Sequence, residues 1–215
     1  MVVMARPLRL QHPEVWYHVT SRGNGQQRIF KSDKDRLHLR QLLAETVERF
    51  KLRLFAYVFM SNHYHLVLEA PQGNLSRAMQ WLNVSYSAWF NRRHGEVGHL
   101  FQGRFKAIVV EPRSWGLRLT QYVHLNPVRT ARWGLSKSQQ QQRRRGLTTE
   151  DISPEKAQKR LQQLRQYAWS SYRAYLGLES IPAWLSMGPV LAMTGEKAKR
   201  QQSFYLQYVE EAKGP

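Results

Sequence analysis

Residues 51–70 read KLRLFAYVFMSNHYHLVLEA, two apolar and aromatic runs with only Ser61 and Asn62 between them. Each run has the composition of a strand. A two-residue connection joins strands only as an antiparallel hairpin. The stretch therefore anchors any fold the chain can adopt, with strands at 51–60 and 63–70.

The flanking segments alternate around this hairpin. EVWYHVTSR (14–22) is rich in β-branched and aromatic residues and runs into the turn signal GNG, so it predicts a first strand. SDKDRLHLRQLLAETVERF (32–50) opens with a Ser-x-x-Asp cap and carries Leu37, Leu39, Leu42, Leu43, Val47 and Phe50 along a helical stripe. NLSRAMQWLNVSYSAWFNRRHG (74–95) predicts a second helix, capped by Asn74 and stopped at Gly95. FKAIVVE (105–111) is a fourth strand ahead of Pro112. SWGLRLTQYVHLNPVR (114–129) predicts a helix that starts on a Ser114 cap and ends at the Asn126–Pro127 step.

Strand, helix, strand, strand, helix, strand, helix is the order of a split βαβ arrangement with one added helix. The expected fold class is α+β: a ferredoxin-like antiparallel sheet with helices packed on one face, plus a basic C-terminal extension. The expected divisions are a core at 1–133, a Gln- and Arg-rich linker or insertion at 134–166 and an aromatic, helical tail at 167–215. The linker reads as flexible at first and as a polar helix from Pro154 onward.

Charge bounds the partners. Lys and Arg number 33 against 15 Asp and Glu, a formal net charge of +18. Such an excess repels itself in the folded state and usually serves a polyanion. With seven Trp to offer stacking faces, nucleic acid is the expected partner, single-stranded in particular. No apolar run is long enough to span a membrane, and the N-terminus lacks the charged and apolar regions of a secretory signal. The chain has no cysteine, which excludes disulfides and thiolate metal sites. A cytoplasmic setting is the expectation.

Side chains alternate along a strand, so His63 and His65 share a face and Tyr64 takes the other. Two imidazoles at i and i+2 can hold one cation together. On the last predicted helix, Tyr122 and Asn126 stand at i and i+4, also on one face. Two imidazoles and an amide oxygen leave about half of an octahedron open for phosphate oxygens or water. A phenol beside such an ion has a phosphorus to attack. The phenolate lies about 4 kcal/mol uphill at neutral pH, a cost that a divalent ion at the phosphate offsets. Imidazole with oxygen donors suits Mn, Co, Ni or Zn, with Mg possible. His124, two residues from Tyr122, points around the helix and makes a poor base.

MSNHYHLVLE, GHLFQGRFKAIVVE, YVHLNPVR and WSSYRAYLG occur in the order seen in REP-associated tyrosine transposases, a branch of the HUH single-strand transposases. The resemblance covers roughly residues 6–133 and 167–185. It implies metal-dependent cleavage and rejoining of single-stranded DNA at hairpins of repetitive extragenic palindromes, through a 5′-phosphotyrosine and a free 3′ hydroxyl. The implied nucleophile is Tyr122. The implied metal ligands are His63, His65 and Asn126, with Mg²⁺ or Mn²⁺ favoured. A monomer, rather than a dimer, in the bacterial cytoplasm at the nucleoid is the corresponding expectation. The segment 134–166 is longer and more basic than the family's usual connection.

Arg22, Arg28, Arg92, Arg93, Arg104, Lys106 and Arg129 flank the predicted sheet edges and helix ends and are the candidate DNA contacts. Phosphate contacts of this kind give salt-dependent affinity without sequence information. The alternative is a non-catalytic single-stranded DNA- or RNA-binding module, since RNA-recognition sheets use the same strand order. A plasmid relaxase or replication initiator would ordinarily bring further domains for which 215 residues leave no room.

Overall fold

β2 (Arg53–Met60) and β3 (His63–Glu69) form the expected hairpin, in register from Arg53 opposite Glu69 to Met60 opposite His63. The structure, a computed structural model, describes residues 15–130, 133, 137–145 and 153–211. The first residue of the predicted opening strand, residues 134–136 and 146–152 of the predicted linker and the last four of the tail lie outside the described residues.

β1 (Trp16–Arg22) lies between β3 and β4 (Lys106–Val110), giving the order β2-β3-β1-β4 with every neighbouring pair antiparallel. α1 (Asp33–Arg49) links β1 to β2, and α2 (Leu75–His94) links β3 to β4, each skipping one strand. This is the ferredoxin-like arrangement.

The two crossing helices cover one face of the sheet. Tyr64 points into it and its hydroxyl donates to Asn83 of α2 at 2.7 Å. The added helix α3 (Pro112–Leu125) takes the opposite face, against β1, β2 and β3. Leu54 to Phe59 and Tyr64 to Leu68 are consequently buried without interruption, the pattern of strands covered on both sides. Burial contributes about 1.5–3 kcal/mol per large apolar side chain, so the hairpin that carries His63 and His65 is a rigid platform.

Helix ends follow local chemistry, with two corrections. Glu111, not Ser114, caps α3: its carboxylate accepts from the backbone N–H groups of Arg113 at 3.0 Å and Ser114 at 2.6 Å, with Pro112 in the first turn. Asn74 sits at the cap position of α2, but its amide instead donates to the Phe50 carbonyl at 2.9 Å, tying α2 to the end of α1. In α1, Asp35 accepts from the N–H groups of Lys31 and Ser32. Leu39, Leu42, Leu43 and Val47 are buried there, but Leu37 faces solvent. Gly95 ends α2 in the left-handed region at φ 64°, where a side chain would strain.

Two helices lie within the segment expected as a linker, α4 (Lys137–Arg144) and α5 (Pro154–Gln166), the latter capped by Ser153. Beyond them the chain closes the outer edge of β2. Phe59 N–H donates to the Trp169 carbonyl at 2.8 Å, and Ser171 N–H donates to Tyr57 at 3.0 Å. Farther on, Ser186 N–H donates to Leu54 at 2.7 Å. An unpaired edge is a template for aggregation, and the tail removes this one. Three more helices follow: α6 (Tyr172–Tyr175), α7 (Gly188–Ala192) and α8 (Ala198–Glu210).

α3 is clasped between sheet and tail. A methyl group at Gly116 would stand 2.9 Å from the Trp16 ring and 2.9 Å from the Met193 sulfur, so this approach requires glycine. Among the described residues no helix is long and apolar enough to cross a membrane.

Candidate functional site

Register across β1 and β3 builds the site. His63 lies opposite Arg22, His65 opposite Thr20, and Val67 opposite His18, so the alternate residues of both strands present one face. That is the face under α3. Its three imidazoles form a row: the rings of His63 and His65 are 4.9 Å apart between centroids, and those of His65 and His18 5.1 Å apart.

Tyr122 descends from α3 onto this row. Its ring meets His65 edge-on at 5.8 Å and His18 edge-on at 5.7 Å. The Arg129 guanidinium carbon lies 4.6 Å from the Tyr122 ring centroid. Asn126 follows one turn after Tyr122, in a short 3₁₀ segment from Asn126 to Val128 that prolongs α3 past its last α-helical residue. Its amide nitrogen donates to the Tyr122 carbonyl at 3.4 Å.

Each histidine of the His63–His65 pair is held through Nδ1. His63 Nδ1 lies 2.7 Å from Asn62 Oδ1, and His65 Nδ1 lies 2.8 Å from His18 Nε2. Burial lowers all three from the ordinary imidazole value. His18 falls to about 4. His63 also falls to about 4, with the Arg22 charge as a smaller cause. His65 falls to about 2, with His18, His63, Arg22 and Arg129 adding to burial. The row is neutral at physiological pH, the state in which imidazole binds a metal.

The donors fit a divalent ion in an open site. Among the described residues no group of three or more His, Cys, Asp or Glu could hold a metal by itself. The residues that could hold one are His63 and His65, through Nε2, and Asn126, through its amide oxygen. Engagement of Nδ1 by a neighbour is the usual support for an imidazole ligand.

His124 has a structural place. It is fully buried, with Nε2 2.8 Å from Ser171 Oγ and Nδ1 2.8 Å from the Tyr205 hydroxyl, and burial pushes it to about 3. It pins α3 to the tail.

The seven candidate DNA contacts separate. Arg22 and Arg129 border the histidine row and depress His65. Lys106 lies opposite Thr20 on the same face. Arg28 is exposed in the turn before α1. Arg92 is exposed at the end of α2, while Arg93 is committed to buried Asp35, Nε to Oδ1 3.2 Å. Arg104 lines a cavity of about 670 Å³ between α2 and the loop at 98–105, apart from the histidines.

A second cavity, of about 550 Å³, adjoins Tyr122 directly, between the outer strand β4 and α3. Trp115 and Arg118 line it, the Arg118 guanidinium 5.7 Å from the Trp115 ring centroid. Trp115 is 55% exposed. Sequence reasoning missed this groove and it missed His18. Trp115 lay in a segment read only as helix. His18 carried one available signal: it shares a face of β1 with Arg22, one of the candidate contacts.

Residues 11–126, more than half of the chain, match the model of a family described as transposase, IS200-like. No curated protein matches the chain. Among solved structures it is similar to a REP-associated tyrosine transposase bound to a REP hairpin. That likeness has a TM-score of 0.54 and 13% identity, over 85% of this chain and 92% of that one. At this identity it is a likeness of fold. Weaker similarity extends to a candidate transposase from Deinococcus radiodurans R1 (TM-score 0.40, 17% identity, 55% of this chain and 95% of that one). It also extends to tRNA(His) guanylyltransferase from Saccharomyces cerevisiae (TM-score 0.42, 12% identity, 76% of each chain).

Proposed function

The chain belongs to the IS200-like transposase family, and on that premise we propose that it is a metal-dependent tyrosine transposase that cleaves and rejoins single-stranded DNA at REP-type hairpins. The observation that carries this reading is the convergence of Tyr122 on the His63–His65 pair, with its ring 5.8 Å from that of His65.

In this reading the Tyr122 oxygen attacks the scissile phosphorus. The phosphorus–O3′ bond breaks, and the phenolic hydrogen ends on the released 3′ hydroxyl. The phosphate stays on the protein as a 5′-phosphotyrosine. One ester replaces another, so the reaction reverses without an energy source and the strand can be rejoined. A divalent ion, Mg²⁺ or Mn²⁺, held by His63, His65 and Asn126 would withdraw charge from the scissile phosphate oxygens and orient them. Arg129, against the Tyr122 ring, and Arg22, beside His63, hold positive charge where the phosphate would lie. The groove of Trp115 and Arg118 takes an unpaired base of the strand leading to Tyr122.

The fold relative carries a REP hairpin in its structure, which supports hairpin DNA as the substrate. Tyr122 meets the histidines within one chain, which supports a monomer acting on its own bound strand. The experiment is incubation with a single-stranded REP hairpin bearing flanking sequence, in Mg²⁺ or Mn²⁺, followed by denaturing electrophoresis. A covalent protein–DNA band is expected from the wild type, and Tyr122→Phe loses it while still binding the hairpin. A band that persists in Tyr122→Phe removes Tyr122 from its role.

A further inference from the structure

We propose that His18 is a positioning residue: it accepts a hydrogen bond from His65 Nδ1 and so fixes the tautomer in which His65 offers an Nε2 lone pair to a metal ion. The inference rests on the metal reading above and adds to it a residue on a different strand.

Two ring nitrogens 2.8 Å apart, His18 Nε2 and His65 Nδ1, need one hydrogen between them. The ring planes differ by only 16° and the centroids are 5.1 Å apart, so the rings meet edge to edge in nearly one plane. An N–H on one points along the lone pair of the other. Two assignments exist. If His18 donates, His65 must carry its hydrogen on Nε2, and that nitrogen is closed to a metal. If His65 donates, Nε2 is open.

His63 decides between them. Its Nδ1 faces Asn62 Oδ1 at 2.7 Å, and the orientation of that amide is set by Asn62 Nδ2 donating to the Gln26 carbonyl at 3.1 Å. An amide oxygen only accepts, so His63 carries its hydrogen on Nδ1 and its lone pair on Nε2. His65 Nδ1 is already engaged by His18, so an ion shared with His63 is reached only through His65 Nε2, which is bare only when Nδ1 carries the hydrogen. His18 therefore does for His65 what Asn62 does for His63.

The backbone makes His18 fit for this. It lies in β1, which is hydrogen-bonded on both sides, to β3 and to β4. Its ring has the Tyr122 edge 5.7 Å away. The residue that sets the ligand's hydrogen is thus also packed against the expected nucleophile.

The first measurement is a long-range ¹H–¹⁵N correlation spectrum of the histidine rings in the metal-free full chain at neutral pH. Protonated Nδ1 and bare Nε2 at both His63 and His65 are expected. A hydrogen on His65 Nε2 overturns the proposal. The second is calorimetric titration with Mn²⁺ alone. His18→Leu, which keeps bulk but cannot accept, is expected to weaken Mn²⁺ binding about 10- to 100-fold and to mix the His65 tautomers. His18→Gln, which restores an acceptor, is expected to recover most of both. Equal Mn²⁺ affinity for His18→Leu and wild type overturns it. If His18→Leu does not fold, the wild-type spectrum and His18→Gln still decide. A wild type with the expected tautomers that binds no Mn²⁺ counts against the metal reading and not against the placement of the hydrogen.

Discussion

The guanidinium of Arg129 covers the ring of Tyr122, its carbon 4.6 Å from the ring centroid. A fixed cation there lies beside the expected nucleophile and next to the place where negative charge gathers as a phosphate is attacked. A charge-assisted hydrogen bond from that guanidinium to a phosphate oxygen would contribute about 1.5–3 kcal/mol. Arg129→Ala should therefore slow covalent adduct formation roughly 10- to 100-fold in single-turnover assays. Arg129→Lys should recover only part of the rate, because a point charge does not reproduce the planar fork. Adduct formation at the wild-type rate in Arg129→Ala would place the phosphate elsewhere.

Removal of divalent ions should separate chemistry from folding. His63 and His65 stand on one strand, β3, that is paired on both sides, and both are held through Nδ1 by protein atoms. Chelation is expected to abolish the adduct, and Mg²⁺ or Mn²⁺ to restore it, with the melting temperature lowered only by the small amount that loss of a bound ligand implies. A large fall in melting temperature on chelation would mean that the metal is structural.

The Trp115–Arg118 groove makes a prediction that salt can test. Base stacking on an aromatic side chain contributes about 1–3 kcal/mol. Trp115→Ala should weaken binding of a single-stranded flank roughly 5- to 100-fold, by the same factor at low and high salt. Arg118→Ala should instead flatten the dependence of affinity on salt. Identical salt-dependent losses from both variants would show a purely electrostatic surface.

His124 sets an acid limit. Burial lowers it from 6.5 to about 3, so between those values the unfolded chain takes up a proton that the folded one refuses. Stability must then fall as pH falls, by about 1.4 kcal/mol per pH unit once the unfolded histidine is protonated. His18, His63 and His65 are lowered in the same sense. Denaturant unfolding from pH 7.5 to 4.5 should show this slope, and His124→Gln should reduce it. The same variant should cost about 1–3 kcal/mol at pH 7.5, because the Ser171 and Tyr205 hydroxyls lose a well-placed buried partner. An unchanged slope in His124→Gln would show that His124 is not buried neutral.

The elements legible in advance were those with local causes. The tight Ser61–Asn62 connection and the alternation of His63, Tyr64 and His65 depend on neighbours in the chain, and so do the Gly95 stop and the spacing of Tyr122 and Asn126. The cap of α3 was misassigned by three residues because Pro112 hides Glu111 from a pattern that looks for Ser or Asn. His18 and His65 are 47 residues apart, and no single segment shows which residue of one strand will lie beside a given residue of another. His124 and Ser171 are likewise 47 residues apart, and His124 and Tyr205 are 81 apart. The tail announced its aromatic content but not the strand edge it would complete.

The family match stops at residue 126, yet α3 is fastened from beyond that point. His124 is hydrogen-bonded to Ser171 and Tyr205, and Gln121 donates to the Tyr208 carbonyl at 2.6 Å. A helix riveted at several depths presents its hydroxyl from a single bearing. On the proposed mechanism the nucleophile therefore stays still, and any travel between severing one strand and sealing another would fall to the DNA.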